Sequence, residues 1–402
     1  MADPLPGFGL DRDRRIAAIC RRRKPIPRKD LERVVSEEVP KNLEAIDADW
    51  VVGMLRRHGH DASAITGLRV EPLRAENSSV ARLHLAGPSA PMRLPQTLFL
   101  KLCPAGHGFL GKSEIAYYTR DYERRSEAPI VPCYAAVGRR DIAMADSIGE
   151  GYALLLADLG TEFTDNKLIE PTGAHAASLG RAIGSLHAHR WGVDADPEGP
   201  HDLDADVDRC LGHVSSGLAP VLDALGDAID AAGRKRLLRV FDQDVARLRA
   251  RATQGDGLTL VHGDPNPTNV LTPRTSDDQG NRQPLFLIDR QPFDWSLRLW
   301  LGASDLVLAS VPYWSVDARR ARERALLRGY HATLLADGVT DYAWDVLIDD
   351  WRACLVHAVL VAVEWGADPA TLDSMRWLWE AQLRRALAAL ADWEEGSATA
   401  AR

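Results

Sequence analysis

The segment Leu258–Asp289 constrains the fold of this chain more than any other part of the sequence. An apolar run typical of a β-strand leads into a His-Gly-Asp tripeptide that ends at Asp264, and Asn269 follows five positions later. After a polar loop, a second apolar run ends on Asp289. A carboxylate on a rigid loop can orient a hydroxyl and accept its proton, whereas an amide oxygen and a second carboxylate suit Mg²⁺. The alternative is that these are ordinary turn and strand-end residues, but two such motifs in this order favour a catalytic role.

This arrangement resembles the aminoglycoside phosphotransferase/choline kinase superfamily, whose signature is His-Gly-Asp-x-x-x-x-Asn followed by a strand that ends in Ile-Asp. The resemblance covers residues 45–390 in order, although only the segment quoted above is strongly specific. The run Leu287-Ile-Asp-Arg-Gln291 is similar to the Ile-Asp-x-Gln of the ecdysteroid-kinase-like branch, towards which the chain leans. The resemblance implies an α+β, bilobal protein-kinase-like fold. We expect a basic extension over residues 1–44, a small antiparallel-sheet N-lobe over 45–157 that binds nucleotide, and a large, mostly helical C-lobe over 158–402 that carries catalysis and acceptor binding.

Composition excludes several other classes of protein. The 402 residues are 46% hydrophobic, which is enough to bury the cores of two lobes. A net charge of −8 argues against a dedicated nucleic-acid binder. No apolar run reaches the ~18 residues that span a bilayer, and no secretory signal is visible. The five cysteines are scattered, as in reduced thiols. We therefore expect a cytoplasmic monomer or homodimer with a small-molecule substrate and neither a nucleic-acid nor a membrane partner.

The pattern of apolar residues changes along the chain. Alternation over Thr66–Leu73 and Val80–Leu85 predicts an antiparallel hairpin, and Thr97–Cys103 predicts a third strand. A helix is expected over Glu114–Arg124, and further strands are expected over 133–137, 142–145 and 152–157. From position 171 onward helical patterns dominate, among them 174–189, 317–337, 341–366 and 369–395. The basic stretch 11–33 could contact an anionic surface, but it lacks interleaved aromatic residues, which favours a solvated arm.

The expected nucleotide-binding residues lie in the predicted N-lobe. Lys101 sits at the centre of the third strand, where a buried lysine needs a partner. The resemblance implies that Lys101 holds the α- and β-phosphates of ATP (or GTP) and that Glu114 is its ion-pair partner; the alternative is a lysine on an exposed strand face. The phosphates would be covered by the turn formed by Asn77, Ser78 and Ser79, and adenine would bind at the backbone of Leu156 to Asp158.

A second motif competes for the nucleotide. Gly106–Ser113 fits the Gly-x-x-x-x-Gly-Lys-Ser pattern of a P-loop and lies between a predicted strand and a predicted helix. In a P-loop NTPase, Lys112 would bind the phosphates and Asp289 could hold Mg²⁺. The antiparallel pattern before the motif argues against this hypothesis, since a P-loop follows the first strand of a βαβ unit. The hypothesis also leaves Asp264 and Asn269 unexplained. A nucleotide-binding pseudokinase is a further alternative.

The resemblance assigns roles in transfer of the γ-phosphoryl group from ATP or GTP to a hydroxyl of a small molecule. Asp264 would orient the hydroxyl and accept its proton, and Asn269 and Asp289 would hold Mg²⁺. His262, His187 and Asp305 are expected to support the catalytic region structurally. Arg290 stands where the superfamily more often has an aromatic residue, and it would either add a cation near phosphate or pair with Asp294.

The acceptor is expected to be a sugar, an aminoglycoside, a nucleoside or another antibiotic-like molecule. The segment after the metal-binding aspartate and the C-terminal helices are rich in tryptophan, at positions 295, 300, 314, 344, 351, 365, 377 and 379. These rings are either acceptor platforms or helix-bundle core. The expected acceptor-binding residues are Asp294, Trp295, Trp351 and Trp365. The scarcity of lysine relative to arginine and alanine hints at a GC-rich bacterial genome, which makes antibiotic inactivation or self-resistance an expectation.

Overall fold

The structure is a computed structural model that describes residues 39–75, 78–87, 94–103, 111–122, 128–138, 151–165, 170–192, 194, 202–274, 284–290 and 297–400. The chain divides into two compact units, Met1–Phe163 and Thr164–Arg402. The sequence places the boundary between lobes after residue 157. The expected α+β class is confirmed, because the first unit carries an antiparallel sheet and the second is mostly helical.

The N-terminal unit is built around one sheet of five antiparallel strands. The strands are β1 (Gly67–Leu73), β2 (Ser79–Ala86), β3 (Thr97–Cys103), β4 (Cys133–Val137) and β5 (Tyr152–Ala157), in the order β1-β2-β3-β5-β4. Helix α1 (Ala48–Arg57) precedes them, and the carboxylate of Asp47 caps it by accepting from the backbone N–H of Trp50 at 2.8 Å. The predicted hairpin is confirmed by the β1–β2 pairing. The strand predicted over 142–145 lies outside the described residues.

Strand β3 is the central strand of this sheet. Its residue Lys101 pairs with Val80 of β2 on one side and with Leu154 of β5 on the other. Directly opposite residues of antiparallel strands project to the same face of the sheet, so the lysine shares its face with two aliphatic side chains. That environment leaves the ammonium group dependent on a partner from another element.

The helix after β3 differs from the prediction of one regular helix over residues 114–124. Helix α2 (Gly111–Ala116) continues as a π-helical turn over Tyr117–Asp121. The rings of Tyr117 and Tyr118 meet edge to face at 4.9 Å, and those of Tyr117 and Tyr122 at 5.4 Å. A π turn holds one more residue than an α turn, and here it accompanies the burial of all three rings in one cluster.

The C-terminal unit contains most of the helices. They are α3 (Gly173–Ala188), α4 (Leu203–Ser215), α5 (Leu218–Leu225), α6 (Ala231–Arg239), α7 (Val245–Ala252), α8 (Ala303–Ser310), α9 (Val316–Ala336), α10 (Trp344–Glu364), α11 (Pro369–Ser374) and α12 (Arg376–Ala400). The helix predicted over 369–395 is therefore two helices, because Met375 leaves helical geometry between them. None of the helices in the described ranges is both long and apolar enough to cross a membrane.

Close helix contacts and a buried central helix form the core of this unit. Helices α3 and α9 approach so closely that a Cβ atom on Gly180 would collide with the carbonyl oxygen of Leu326, and one on Gly329 would collide with that of Ala177. Glycine is therefore required at both crossing points. Every residue of α8 is buried, so this helix lies inside the unit rather than on its surface.

Short strands position the segment Leu258–Asp289. Strand β6 (Phe163–Thr164) lies at the division between the units, and β7 (Leu258–Leu260), β8 (Val270–Pro273), β9 (Phe286–Leu287) and β10 (Leu299–Leu301) follow. Strand β7 pairs with β10, and β8 pairs with β9. The register sets Val270 opposite Leu287, and Ile288 donates its backbone N–H to the carbonyl of Asn269 at 3.0 Å. Asn269 and Asp289, twenty positions apart, are thereby brought side by side.

Candidate active site

Asp305 of α8 holds the loop that follows β7. Its fully buried carboxylate accepts the backbone N–H of His262 at 2.6 Å and that of Gly263 at 2.9 Å. Gly263 has a φ of 84°, a conformation that favours glycine. Burial alone would raise the pKa of Asp305, but hydrogen bonds from His187 and the loop hold it below its usual value. The carboxylate is therefore ionised, and it fixes the turn from which Asp264 projects.

His187 of α3 supports Asp305 from behind. Its Nε2 lies 2.9 Å from a carboxylate oxygen of Asp305, and its Nδ1 lies 3.0 Å from the hydroxyl of Tyr330 on α9. The hydroxyl of Thr259 in β7 donates to the backbone carbonyl of His187 at 3.1 Å. One buried network thus ties three helices and a strand to the loop.

Asp264 is held in a single orientation by two amides. Nδ2 of Asn266 lies 2.9 Å from each carboxylate oxygen, and Nδ2 of Asn269 lies 3.0 Å from the backbone carbonyl and 3.2 Å from Oδ2 of Asp264. Asp264 as a whole residue is half-buried. Burial, helped by the charges of Asp289 and Asp305, raises the pKa of Asp264 to about 7. A divalent cation beside it would favour the ionised form and oppose this shift.

Sequence analysis did not single out Asn266. Its side-chain oxygen accepts from the backbone N–H of Thr268 at 2.8 Å and so caps the short turn Pro267–Asn269. The same amide therefore bridges the turn and the carboxylate of Asp264. An Asn followed by Pro is a recognisable capping signal, but its contact with Asp264 depends on a turn geometry that spacing alone does not reveal.

Asn269 and Asp289 form a donor set that fits Mg²⁺. The Asn269 amide directs its nitrogen to Asp264, and its oxygen accepts only a long 3.5 Å contact from the Thr268 hydroxyl in the described part of the chain. Asp289 has a φ of 57°, uncommon for a residue other than glycine. The described ranges contain no cluster of three or more His, Cys, Asp or Glu side chains that could hold a metal. A cation here would have two protein oxygen ligands and would take the rest from phosphate and water, as Mg²⁺ commonly does.

Arg290, which follows Asp289 in the chain, contacts the protein backbone. It is fully buried, and its Nε donates to the backbone carbonyl of Val261 at 3.0 Å. The guanidinium therefore braces the end of the apolar run that precedes the loop carrying Asp264. Asp294, the pairing partner expected from the sequence, lies outside the described residues.

His262 is buried and neutral. Burial, with a smaller contribution from the charge of Arg290, lowers the pKa of His262 from 6.5 to about 4. In the unfolded chain the imidazole takes up a proton near its ordinary pKa, whereas in the folded chain it does so only near pH 4.

We therefore expect His262 to make the protein acid-sensitive. Its contribution to the free energy of unfolding is complete above pH 6.5 and falls by about 3 kcal/mol as the pH drops to about 4, since the unfolded state binds the extra proton. His262→Gln, which cannot titrate, should be less stable at pH 7 but should lose less stability on acidification. Urea unfolding at pH 7.0, 5.5 and 4.0 measures this difference. Parallel pH profiles for the two proteins would contradict it.

A second polar cluster lies within the N-terminal unit. Lys101 is almost fully buried, and its Nζ lies 3.0 Å and 2.8 Å from the two carboxylate oxygens of Glu114 on α2. The hydroxyl of Tyr152 donates to Glu114 at 2.5 Å. Burial and the charge of Glu114 raise the pKa of Tyr152 well above its usual value. Tyr152 was missed at the sequence level, because an aromatic residue at the start of an apolar strand gives no sign of its partner.

The buried Lys101–Glu114 pair should contribute measurably to stability. Lys101→Met should lower the free energy of unfolding by about 3–5 kcal/mol, because it leaves the Glu114 carboxylate buried without its cation. Adding Glu114→Gln should recover at least half of that loss. Lys41→Met, at an exposed position of the same unit, is the control and should change stability by less than about 0.5 kcal/mol. Equal stability of Lys101→Met and wild type in urea would refute the buried pairing.

The other expected nucleotide residues are placed as follows. Ser78 precedes β2 and Ser79 begins it, whereas Asn77 lies outside the described residues. Leu156 is the penultimate residue of β5, and Asp158 follows the strand. The Asp158 carboxylate accepts from Nε of Arg82 at 2.5 Å, so its side chain is already paired and only its backbone remains for a base.

The expected acceptor residues are only partly described. Asp294 and Trp295 lie outside the described residues. Trp351 is 0% exposed in α10, so it belongs to the hydrophobic core and offers no surface to a ligand, which corrects the expectation for that residue. The helices around Trp351 exclude its large ring from water. This is the helix-bundle core alternative that sequence analysis gave for the tryptophans of this region. Trp365 follows the last residue of the same helix as its C-cap and is half-buried.

Comparisons with known proteins give similarities of structure alone. No protein-family model matches the sequence, and neither does any curated protein. Choline kinase from Cryptosporidium parvum is 13% identical, with 87% of this chain and 96% of that chain covered and a TM-score of 0.48. A glucosamine kinase is 17% identical, with coverage of 87% and 82% and a TM-score of 0.49. An aminoglycoside phosphotransferase from Streptomyces rimosus, in complex with ADP and streptomycin, is 15% identical, with coverage of 78% and 98% and a TM-score of 0.36.

These neighbours belong to the superfamily that the sequence motifs resemble. None of the three is an ecdysteroid-kinase-like protein, so the leaning towards that branch stays a prediction. Because the identities and TM-scores are low, the function of this chain is inferred from its own residues.

Proposed function

We propose that this chain is a small-molecule O-phosphotransferase that moves the γ-phosphoryl group of ATP, or of GTP, to a hydroxyl. The observation that carries the proposal is the geometry of Asn269. Its amide nitrogen hydrogen-bonds to Asp264 and its oxygen is turned away, while the β8–β9 register sets Asp289 beside it. A proton acceptor and two oxygen ligands for a cation are thus joined in one rigid element. Phosphoryl transfer to an alcohol requires both functions.

The reaction follows from these positions. The acceptor hydroxyl oxygen forms a bond to the γ-phosphorus as the bond from that phosphorus to the β,γ-bridging oxygen breaks, and the nucleoside diphosphate leaves with the electron pair. Asp264 orients the hydroxyl and receives its proton, while Asn266 and Asn269 keep the carboxylate fixed. Mg²⁺ held by Asn269 and Asp289 would supply positive charge to the phosphate oxygens.

The nucleotide is assigned to the N-terminal unit. Lys101 supplies a positive charge for the α- and β-phosphates, and Glu114 and Tyr152 fix its direction. Backbone N–H groups and hydroxyls at Ser78 and Ser79 would cover the phosphates. This assignment is favoured over a P-loop, because the strand before Gly106–Ser113 is central in a wholly antiparallel sheet, whereas P-loops follow parallel strands. Residues 104–110 lie outside the described residues.

A screen for acceptors tests the function. Purified protein is incubated with Mg²⁺–ATP and with sugars, aminoglycosides, nucleosides and amino alcohols in separate reactions. ADP formation and product mass are then measured. The proposal expects stoichiometric ADP and a product heavier by one phosphoryl group with at least one class, and neither in Asp264→Asn. A nucleotide-binding pseudokinase would bind ATP and give no product in any reaction.

The biological setting is part of the same proposal. Inactivation of an antibiotic, or self-resistance, is one use of such an enzyme in the cytoplasm of a bacterium. The aminoglycoside reactions of the screen test that use directly. Activity confined to sugars or amino alcohols would assign the enzyme to metabolism instead.

A further inference from the structure

The segment 158–160, which follows β5, is held by the carboxylate of Asp158. Its Oδ1 accepts the backbone N–H of Gly160 at 3.0 Å, and its Oδ2 accepts from Nε of Arg82 at 2.5 Å. A second guanidinium nitrogen of Arg82 lies 3.5 Å from Oδ1. The Asp158 side chain is only 3% exposed, so water competes little for these contacts. One carboxylate therefore joins the segment to the arginine.

The ion pair of Arg82 and Asp158 crosses the central strand of the sheet. Arg82 lies in β2, and β3 separates β2 from β5. The arginine shares a sheet face with Lys101, because Val80 is opposite Lys101 and residues two apart in a strand project to the same face. A Cβ atom on Gly160 would lie 2.8 Å from a guanidinium nitrogen of Arg82. The guanidinium thus packs directly against the segment 158–160.

This segment presents a backbone donor without a partner. The N–H of Ala157 donates to the carbonyl of Pro132 at 2.8 Å, whereas the N–H of Leu159 has no acceptor within the described ranges. Leu159 is buried, and a buried backbone N–H is normally paired. A ligand with an acceptor atom would pair it, and the ring nitrogens of a purine base are such acceptors. The direction of this donor depends on the fold of the segment, which Asp158 fixes.

We propose that Arg82 is a positioning residue for the nucleotide base and acts through Asp158. The ion pair fixes the segment from which the N–H of Leu159 binds the base. The alternative is that Arg82 contacts phosphate directly, as a second cation on the Lys101 face. Arg82 also pairs with Glu71 at 3.3 Å, so two carboxylates already neutralise its charge, which favours positioning. This inference rests on the proposed function, which assigns the nucleotide to the N-terminal unit.

The test separates the base from the phosphates. Binding of adenosine, which lacks phosphate, and of tripolyphosphate, which lacks a base, is measured by calorimetry, with guanosine as a third probe. Arg82→Met should weaken binding of the preferred nucleoside roughly 5- to 20-fold and leave tripolyphosphate binding within about twofold. KM for the matching triphosphate should rise by the same factor while kcat is unchanged. Arg82→Lys, which keeps the charge, should recover part of the loss.

A double-mutant cycle shows whether Arg82 acts through Asp158. Asp158→Asn keeps an oxygen for the Gly160 N–H but removes the charge, so it should weaken nucleoside binding less than Arg82→Met does. In the Asp158→Asn background, Arg82→Met should change nucleoside binding by less than about twofold. Should Arg82→Met not fold, Arg82→Lys and Asp158→Asn provide the same comparison.

Arg69→Met is the matched control, because Arg69 also pairs with Glu71, at 3.3 Å, and is mostly exposed. It should leave binding of both probes within about twofold of wild type. Unchanged nucleoside binding in Arg82→Met, or a full effect that persists beside Asp158→Asn, overturns the inference. Weakened tripolyphosphate binding assigns Arg82 to the phosphates and overturns it as well. Failure of the proposed function looks different, since wild type would bind nucleotide and form no product while these binding effects remained.

Discussion

Replacing Asp264 with Asn is expected to lower kcat by roughly 10²–10⁴ with little change in KM for ATP. The asparagine oxygen can still accept a hydrogen bond from the acceptor hydroxyl, but the side chain cannot take up its proton. The substitution also turns one N–H₂ group towards Asn266 or Asn269, which already donate to this carboxylate. Steady-state kinetics with the best acceptor from the screen give both constants.

Asp256→Asn is a suitable control for this substitution. Asp256 is exposed and precedes β7, so the same loss of one carboxylate should leave kcat within about twofold of wild type. Turnover of Asp264→Asn at the wild-type rate would remove Asp264 from the reaction and leave it as a turn residue.

Replacing Asp289 with Asn should abolish most activity while the fold remains intact. Loss of an anionic ligand weakens the binding of Mg²⁺–ATP, so the Mg²⁺ concentration for half-maximal activity should rise by roughly 10- to 100-fold. Asn is the informative substitution because it tolerates the positive φ of 57° at this position, whereas Ala would add backbone strain. Circular dichroism and an Mg²⁺ titration of ATP hydrolysis measure fold and metal dependence separately. An unchanged Mg²⁺ dependence would show that Asp289 only ends a strand.

Local patterns allowed much of the fold to be predicted. The local pattern of apolar residues and the turn residues between them predicted the strands over 133–137 and 152–157 with the bounds that the structure has. The same kind of pattern predicted the β1–β2 hairpin. These features depend on residues close in sequence, so a single sequence contains them. The π turn after α2 and the break at Met375 were missed, because the apolar pattern of a helix continues through both positions.

The candidate site likewise contains residues that could be predicted from the sequence and residues that could not. The spacing of Asp264, Asn269 and Asp289 is visible in the sequence because one loop and two strands carry all three. The contacts of Asn266 and Tyr152 are set by side-chain directions that spacing does not encode. For Trp351 the sequence predicted a contact with the acceptor, whereas the structure places the residue in the core. An aromatic residue in a helix has the same sequence pattern whether it lines a pocket or fills a core.

The most direct test of the central claim compares kcat/KM for ATP in Lys101→Ala, Glu114→Ala and Lys112→Ala. Removal of a charge-assisted contact to phosphate costs on the order of 1.5–3 kcal/mol, and loss of a lysine that does not contact phosphate costs almost nothing. A kinase-like site uses Lys101, so the first two variants should lose more than about tenfold and the third should stay within a fewfold of wild type. The opposite result, with Lys112→Ala inactive and Lys101→Ala active, would assign the phosphates to a P-loop and remove the basis for the roles of Asp264 and Asn269.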